Sequence, residues 1–428
     1  MSPRKRDANT PAYREYIVYA ALENGEVVPA AELLLETDAR GRHRTSGLEY
    51  RESWIDTESA FALDPVHAPL AKRQHEWSTR GQAPGIIDEV LPGAWERALL
   101  QRAWEAAGEQ RDPGDLHAVL GDRQLTLRVG ATAIVSASAA FSDDLRLSSG
   151  LDLTDLEAAA SQADEVIEQT PLELDVLRRL RAGTTVGGAR PKILVHDQGR
   201  EYIAKFTRRD DPFNHARVEH ACLELARRAG LAVPHSRLVG AGADVCLLVE
   251  RFDVTPAGGR RQLLSANALL KDPDTCEDAQ QASYEDLVDL ICRWSDEPAD
   301  DVQQLYAQML FNEAINNRDD HLRNFSFLRT EGRLHLSPAY DLVPTDALGA
   351  YPVLGFNRRP TLPRPTTRAA HEAARVFRLQ ASEARRINER FAEAFTGLEA
   401  VLDAAGVSER DRRVLQRVLW SGSTPTAR

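Results

Sequence analysis

The sequence is poor in several features that would place it in a specialised class of protein. Its 428 residues include four cysteines, which lie far apart and form no Cys-x-x-Cys pair. A disulfide framework or a cysteine zinc site is therefore not expected, and a reducing cytoplasm is the default location. No apolar run approaches the roughly 20 residues that a membrane-spanning helix needs, and the first residues lack the apolar core of a secretory signal.

Basic residues are fewer than acidic residues, and few of the basic residues are lysine. The chain has 53 basic and 65 acidic residues, a formal net charge of −12. This balance argues against broad binding to a phosphate backbone by the chain alone, while it leaves room for a basic partner. The lysines are Lys5, Lys72, Lys192, Lys205 and Lys271, and every other basic residue is arginine. A lysine that looks buried therefore invites the question of what arginine could not do there.

What is present is the composition of an ordinary globular protein, with 43% hydrophobic and 28% charged residues. The length suggests two or three domains. The first part mixes short strands and turns, with a hairpin signal at Asn24-Gly25, a strand-like run at 49–54 and a helix from Pro92-Gly93 through Trp104.

Strand patterns and helix patterns alternate from residue 184 and give way to helices after about residue 263. The predicted elements are strands at 192–195, 202–206, 246–250, 325–328 and 333–336, and helices at 214–229, 284–294, 302–316 and 367–419. We therefore predict an α+β fold in which a mixed α/β half precedes a helical half. The predicted boundaries are 1–125, 126–262 and 263–428, and the role of 106–180 stays open.

The most informative segment is the polar run 316–326, Asn-Asn-Arg-Asp-Asp-His-Leu-Arg-Asn-Phe-Ser. It follows a predicted helix and leads into a predicted hairpin. Asp319 and Asn324 are five residues apart, and Asp341 lies just past the hairpin. A protein kinase places its catalytic base and its two magnesium ligands in this order. The alternative for the loop alone is a helix end followed by an Asx turn.

Upstream residues favour the kinase interpretation. The turn 184–189, Thr-Thr-Val-Gly-Gly-Ala, offers backbone N–H groups to phosphates. Lys205 lies on the following return strand and Glu219 in the next helix, and kinases pair such a lysine with such a glutamate. The strand that ends at 249–252 is placed where a kinase hinge contacts adenine. Each feature alone also has a structural explanation, such as an ordinary turn, a surface lysine or a solvated helix face. Together, in this order, they predict phosphoryl transfer from ATP with magnesium.

These motifs resemble those of HipA-type serine/threonine kinase toxins, the toxin halves of HipBA-type toxin–antitoxin modules. The segments that carry the resemblance are 185–192 (Thr-Val-Gly-Gly-Ala-Arg-Pro-Lys), 249–253 (Val-Glu-Arg-Phe-Asp), 311–312 (Phe-Asn), 317–324 (Asn-Arg-Asp-Asp-His-Leu-Arg-Asn) and 337–341 (Ser-Pro-Ala-Tyr-Asp). The family implies a protein-kinase-like bilobal fold, with an extra N-terminal subdomain over 1–125, an N-lobe over 126–262 and an all-helical C-terminal lobe over 263–428.

The resemblance also implies roles for individual residues. Asp319 would be the catalytic base, His321 would lie near the γ-phosphate, and Asn324 and Asp341 would hold Mg²⁺. The residues implied at the ATP site are Thr185, Val186, Gly187, Gly188, Ala189, Lys192, Lys205, Glu219, Glu250, Phe252, Asp253 and Tyr340.

The family further implies partners and regulation. It implies a HipB-like helix-turn-helix antitoxin, contact with DNA only through that antitoxin, and a protein substrate such as an aminoacyl-tRNA synthetase. The glycine-rich loop of the family can carry a phosphorylated serine that inactivates the enzyme. Thr185, with Thr184 beside it, stands at that position here, and Pro191 removes one backbone N–H from the loop.

Two other functions are compatible with the same residues. The chain could be a catalytically weak kinase-fold co-repressor that acts with a DNA-binding antitoxin, although the complete set of polar site residues disfavours it. It could also phosphorylate a small molecule, such as a sugar or an inositol lipid, because the same catalytic loop serves such enzymes.

Overall fold

A computed structural model describes residues 12–78, 82–121, 128–137, 151–153, 190, 192–240, 245–279, 281–346, 353–358 and 374–419 of the chain. The strands are β1 (Ala12–Ala21), β2 (Val27–Thr37), β3 (His43–Tyr50), β4 (Gln74–Ser78), β5 (Arg128–Val129), β6 (Thr132–Ser136), β7 (Leu151–Asp152), β8 (Lys192–Asp197), β9 (Arg200–Phe206), β10 (Ser236–Val239), β11 (Cys246–Glu250), β12 (Leu263–Ser265), β13 (Ser326–Thr330) and β14 (Arg333–Leu336). The helices are α1 (Glu52–Ile55), α2 (Gly85–Asp88), α3 (Ala94–Ala106), α4 (Leu116–Leu120), α5 (His215–Arg228), α6 (Ala266–Leu269), α7 (Tyr284–Trp294), α8 (Pro298–Ala314), α9 (Ala381–Thr396), α10 (Leu398–Ala404) and α11 (Glu409–Leu419).

The chain divides into two compact units. The first, unit 1, comprises Met1–Glu201 and Asp253–Ala279, and the second, unit 2, comprises Tyr202–Phe252 and Gln280–Arg428. The three-part division drawn from the sequence stays a prediction. None of the helices in the described ranges combines the length and the apolar character that a membrane crossing requires.

Unit 1 is built on an antiparallel sheet with the strand order β4-β3-β2-β1-β6-β5. The predicted Asn24-Gly25 hairpin joins β1 to β2, and Gly25 has a φ of +90°, a conformation that glycine adopts without strain. Tyr16, Val18 and Ala20 alternate along β1 and are buried, so one face of the sheet forms the core. The predicted helix from residue 93 is confirmed as α3, with Gly93 at its N-cap.

The strand predicted at 49–54 is wrong in its second half. β3 ends at Tyr50, and residues 52–55 form the helical turn α1. A continued strand would place Tyr50, Glu52 and Trp54 on one face, because side chains alternate along a strand. Tyr50 and Trp54 are buried and Glu52 is exposed, so the helical turn buries the indole without burying the carboxylate.

Residues 253–279 of unit 1 pack against its earlier part. The backbone N–H of Arg260 donates to the Leu22 carbonyl at 3.0 Å, beside the β1–β2 turn. The buried Arg260 guanidinium donates to the Glu201 carboxylate at 2.7 Å. This segment is therefore held both by backbone hydrogen bonds and by a buried ion pair.

Unit 2 begins with the antiparallel strands β9, β11 and β10, in that spatial order. Helix α5 packs against β10 and β11. Its N-cap is Asn214, whose side chain accepts from the Arg217 N–H, and Gly230, with a φ of +84°, follows its end. The predicted helix over 214–229 is thereby confirmed.

The rest of unit 2 is mainly helical. α7 spans the predicted residues, and a capping box between Ser283 and Asp286 fixes its start. α8 begins at Pro298, four residues before the predicted start, because proline suits the first turn of a helix. It ends at Ala314, and β13 and β14 form the predicted hairpin. The polar run 316–326 therefore begins two residues after the end of α8.

Candidate active site

Lys205 lies on β9 and contacts both the first part of unit 2 and its mainly helical part. Along β9 the buried residues Tyr202, Ala204 and Phe206 alternate with Lys205, which therefore lies on the other face of the strand. Its ammonium donates to the Glu219 carboxylate of α5 at 2.6 Å and also to the Asp341 carboxylate. The predicted lysine–glutamate pair is thus formed, and the same ammonium reaches the aspartate that follows the β13–β14 hairpin.

The charges around Lys205 hold it in the protonated form. Burial by itself would lower the pKa of the Lys205 ammonium, because desolvation disfavours the charged form. The carboxylates of Asp341 and Glu219 outweigh this effect and raise the pKa above its ordinary value. The group therefore favours the positively charged form, which is the form that binding to phosphate would require.

The loop after α8 places two neighbouring aspartates in different environments. Asp319 is exposed, whereas Asp320 is fully buried and accepts a hydrogen bond from the Tyr284 hydroxyl at 2.8 Å. A proton acceptor for an incoming hydroxyl must be reachable from solvent. Asp319 satisfies this requirement and Asp320 does not, a distinction that the sequence Asp-Asp does not make.

Asn324 ends a 3₁₀ turn, Leu322–Asn324, just before β13. Its side-chain N–H donates to the Asp319 carbonyl at 2.9 Å. Because the amide nitrogen is used in this way, the amide oxygen is the atom of Asn324 that suits a hard cation. The predicted metal ligand therefore also fixes the backbone of the predicted base.

Asn317 connects the two aspartates that the sequence places 22 positions apart. Its side-chain oxygen accepts from the Asp319 N–H at 3.1 Å, and its side-chain nitrogen donates to the Asp341 carbonyl at 3.3 Å. Sequence reasoning placed Asn317 within a motif and assigned it no role.

Asp341 has a φ of +53°, a left-handed conformation that is costly for a residue with a side chain and that clusters at functional sites.

Arg318 ties the same loop to the segment beyond Asp341. Its guanidinium binds the Glu313 carboxylate through two nitrogens, at 2.7 and 3.3 Å. Its backbone N–H donates to the Thr345 hydroxyl at 3.0 Å, and the Asn316 amide donates to the Thr345 carbonyl at 2.9 Å. The polar loop and the segment after Asp341 are therefore held as one piece.

Two aromatic rings lie together where an adenine is predicted. Phe252 and Tyr340, both half-buried, have ring centroids 5.9 Å apart and planes inclined by 33°. The Tyr340 hydroxyl donates to the Arg323 carbonyl at 2.7 Å, which fixes this ring. Glu250 ends β11, and its backbone N–H donates to the His235 carbonyl.

His321, two residues after Asp319 in the polar loop, supplies an unsatisfied polar atom. Its ring nitrogen Nδ1 is buried and has no hydrogen-bond partner among the described residues. A buried polar atom without a partner is costly unless a bound group satisfies it. This position therefore fits a ligand with polar atoms, such as a phosphate.

The remaining predicted site residues belong to unit 1 or lie outside the described part of the chain. Lys192 and Asp253 belong to unit 1, where both are buried. The residues that lie outside the described part of the chain are Thr184, Thr185, Val186, Gly187, Gly188, Ala189 and Pro191.

Comparison with known proteins gives one family and several relatives. A family model described as "HipA-like C-terminal domain" matches residues 184–398. The protein named "Putative kinase Y4mE" of Sinorhizobium fredii is 29% identical over 340 residues, which cover 72% of this chain and 74% of that one. The "Serine/threonine-protein kinase toxin HipA" of Shewanella oneidensis is 25% identical over 344 residues, which cover 71% and 70%.

A solved structure has the same fold over almost the full length. It is described as the Shewanella oneidensis toxin–antitoxin system HipA, HipB and its operator DNA complex. The match has a TM-score of 0.60 at 18% identity and covers 94% of this chain and 97% of that one. The kinase-like fold predicted from the sequence is confirmed.

Proposed function

Because this chain belongs to the family of proteins with a HipA-like C-terminal domain, we propose that it is an ATP- and Mg²⁺-dependent serine/threonine protein kinase that acts as the toxin of a toxin–antitoxin pair. The observation that carries the proposal is the Lys205 ammonium, which binds the carboxylates of Glu219 and Asp341 at once. Asn317 then links Asp341 to the exposed Asp319. These are the groups that phosphoryl transfer needs, held in one unit of the chain.

In the proposed reaction Asp319 accepts the proton of the attacking hydroxyl. Lys205 binds phosphate oxygens, and Glu219 holds the lysine in place. His321 binds the terminal phosphate, in keeping with its unsatisfied ring nitrogen. Catalysis of this kind depends mainly on positioning and on charge, since the transition state demands little covalent chemistry from the protein.

Asn324 and Asp341 are the proposed ligands of Mg²⁺. Both offer oxygen atoms, which this hard cation prefers. Among the described residues no group of three or more His, Cys, Asp or Glu side chains could hold a metal ion. A pair of protein oxygens fits an ion that is completed by water and by substrate phosphates. The ion, when bound, neutralises charge on the phosphates.

The adenosine part of ATP is proposed to lie against Phe252 and Tyr340, with Glu250 and Asp253 beside it. A pair of half-buried aromatic rings suits an adenine base, because one flat apolar surface stacks on another. The glycine-rich loop with Val186, Gly187, Gly188, Ala189 and Lys192 is proposed to cover the phosphates. Phosphorylation of Thr185 would bring about −1.5 to −2 charges beside those phosphates and inhibit the enzyme.

The proposed partner is a HipB-like helix-turn-helix antitoxin, through which the chain would contact DNA in the cytoplasm. A relative of the same fold is named together with HipB and operator DNA. The net charge of −12 suits a basic partner. The proposed substrate is a serine or threonine hydroxyl of a host protein such as an aminoacyl-tRNA synthetase.

The test is transfer of labelled phosphate from ATP in a lysate of the host, with the unchanged chain, Asp319→Ala and Asp300→Ala. Asp300 is an exposed aspartate of α8 and serves as the control. We expect Asp319→Ala to reduce transfer at least 100-fold, as loss of a general base does, and Asp300→Ala to stay within twofold. Asp319→Ala should keep the melting temperature of the unchanged chain.

The products separate the proposed function from its rivals. Labelled protein supports the kinase, a labelled metabolite indicates a small-molecule kinase, and no transfer at all indicates a co-repressor.

The same variants, overproduced in the host without a partner, test the toxin role. We expect the unchanged chain to arrest growth and Asp319→Ala to be harmless; normal growth with the unchanged chain would remove the toxin assignment.

A further inference from the structure

We propose that Asn317 is a positioning residue for phosphoryl transfer, whose single side-chain amide fixes the loop that carries Asp319 relative to the residue that carries the Asp341 carboxylate. This inference rests on the proposed function, because it assigns Asn317 a task within that same site. It goes beyond that function because Asn317 is neither the proposed base, nor a metal ligand, nor a residue that contacts ATP.

Both ends of the Asn317 amide bind backbone groups of the residues that it positions. The side-chain oxygen accepts from the Asp319 N–H at 3.1 Å, and the side-chain nitrogen donates to the Asp341 carbonyl at 3.3 Å. A backbone N–H can only donate and a carbonyl can only accept. The orientation of the amide is therefore determined by its partners, although its oxygen and nitrogen have the same shape.

Asparagine suits this position for a chemical reason. Asn317 is 3% exposed, and its side-chain nitrogen also donates to the Asn312 side-chain oxygen at 3.1 Å. One acceptor and two donor hydrogens are thus all used. A carboxylate at the same place would face two oxygen acceptors, of Asp341 and Asn312, with no hydrogen to offer. A shorter apolar side chain would leave buried polar groups unpaired.

A buried series of hydrogen bonds connects Asn317 with Tyr284 and Asp320. The Asn312 amide donates to the Tyr284 hydroxyl at 3.3 Å, and that hydroxyl donates to the Asp320 carboxylate at 2.8 Å. Tyr284, Asn312 and Asp320 are each at most 1% exposed. Asp320 directly follows Asp319, whose backbone N–H is bound by Asn317. The series of hydrogen bonds therefore forms a closed ring that includes residues of α7, α8 and the polar loop. These buried hydrogen bonds restrict the local geometry.

The proposed task follows from what the two aspartates do. The base and the metal ligand must keep a fixed separation, since a displacement of about 1 Å can reduce turnover about 100-fold. The Asn317 side chain contacts the backbones of both. Weakening it should affect the steps that depend on Asp319 and Asp341, and should spare the groups that bind the adenosine.

The experiment compares Asn317→Asp with Asn388→Asp in the full chain. Asn388 of α9 accepts from the Tyr306 hydroxyl at 3.1 Å, so it is another asparagine of unit 2 with a tyrosine partner. We expect Asn317→Asp to reduce kcat of phosphoryl transfer about 100-fold and to raise the Mg²⁺ concentration for half-maximal rate about tenfold. KM for ATP should change less than threefold, and Asn388→Asp should change none of these more than twofold.

A second variant keeps the test decisive if Asn317→Asp does not fold. Tyr284→Phe keeps the buried ring and removes the hydroxyl that links Asn312 to Asp320. We expect kcat to fall about tenfold with KM for ATP within threefold. An Asn317→Asp variant whose kcat and Mg²⁺ dependence match those of Asn388→Asp would overturn the inference, as would unchanged kcat in Tyr284→Phe. Absence of transfer by the unchanged chain would instead overturn the proposed function, and the inference with it.

Discussion

Lys205 shows how one charge can organise a site from distant parts of the chain. Its partners Glu219 and Asp341 come from α5 and from the residue that follows the β13–β14 hairpin. An ammonium is compact and can approach two carboxylates from one point, whereas a guanidinium is a planar fork that favours one carboxylate in a side-by-side geometry. This difference explains why a chain so rich in arginine has a lysine here.

We predict that Lys205→Arg, which keeps the positive charge, reduces kcat/KM of phosphoryl transfer about 100-fold, because the guanidinium cannot keep the geometry of both contacts. The measurement is transfer of labelled phosphate at several ATP concentrations. The control is Lys72→Arg, since Lys72 is an exposed lysine whose carboxylate contacts are 3.5 and 3.8 Å long. Equal activity of the two variants would mean that position 205 requires charge alone.

A short connecting turn packs closely against the β1–β2 hairpin of unit 1. The turn around Gly259 lies against the end of the β1–β2 hairpin, where the Thr255 hydroxyl donates to the Glu23 carbonyl at 2.8 Å. A Cβ at Gly259 would stand 2.1 Å from that Glu23 carbonyl oxygen. Backbone here approaches backbone so closely that a side chain has no room, which is a common reason for a buried glycine.

We predict that Gly259→Ala destabilises unit 1 by about 2 kcal/mol or more, because the turn must move away from the hairpin. The matched control is Gly108→Ala, where φ is +73° and no described atom lies within 4 Å of the position that a Cβ would take. That variant should cost about 1 kcal/mol through backbone strain alone. Urea unfolding followed by tryptophan fluorescence measures both. Equal losses would show that the close approach contributes nothing.

At the scale of the whole molecule, the stability of unit 1 should depend on a buried acid. Glu96 of α3 is 2% exposed. Burial raises its pKa to about 7, partly offset by the nearby Lys192 charge. The folded state therefore binds a proton more tightly than the unfolded state, in which the carboxyl has its ordinary pKa of 4.5. Stability from this group is present below about pH 4.5 and is lost as the pH rises towards 7.

We predict that Glu96→Gln, which keeps the shape and removes the charge, stabilises unit 1 relative to the unchanged chain by about 2 to 3 kcal/mol at pH 8 and by much less at pH 5. Four of the six tryptophans, Trp54, Trp77, Trp95 and Trp104, lie in unit 1 and report its unfolding. Comparing the two proteins at each pH removes other titrations, such as that of His43, whose pKa burial lowers to about 4. A difference independent of pH would contradict the assignment.

Local sequence predicted many of the elements and their order. Local patterns predicted the Asn24-Gly25 hairpin, helices α3, α5 and α7, and strand β11, because turn chemistry, caps and apolar periodicity act over a few neighbouring residues. The motifs also identified the family, which the match over residues 184–398 confirms. Local pattern was misleading at 49–54, where the burial of Trp54 and not of Glu52 selected a helical turn.

Several of the polar contacts in the site depend on tertiary packing and cannot be read from the sequence. The sequence offers no means of telling exposed Asp319 from buried Asp320, nor does it show that Asn317 binds both Asp319 and Asp341. These contacts join residues far apart in the chain, so they depend on how α7, α8 and the hairpin pack. Packing is decided by all the side chains at once, whereas an element's type is largely decided by its own residues.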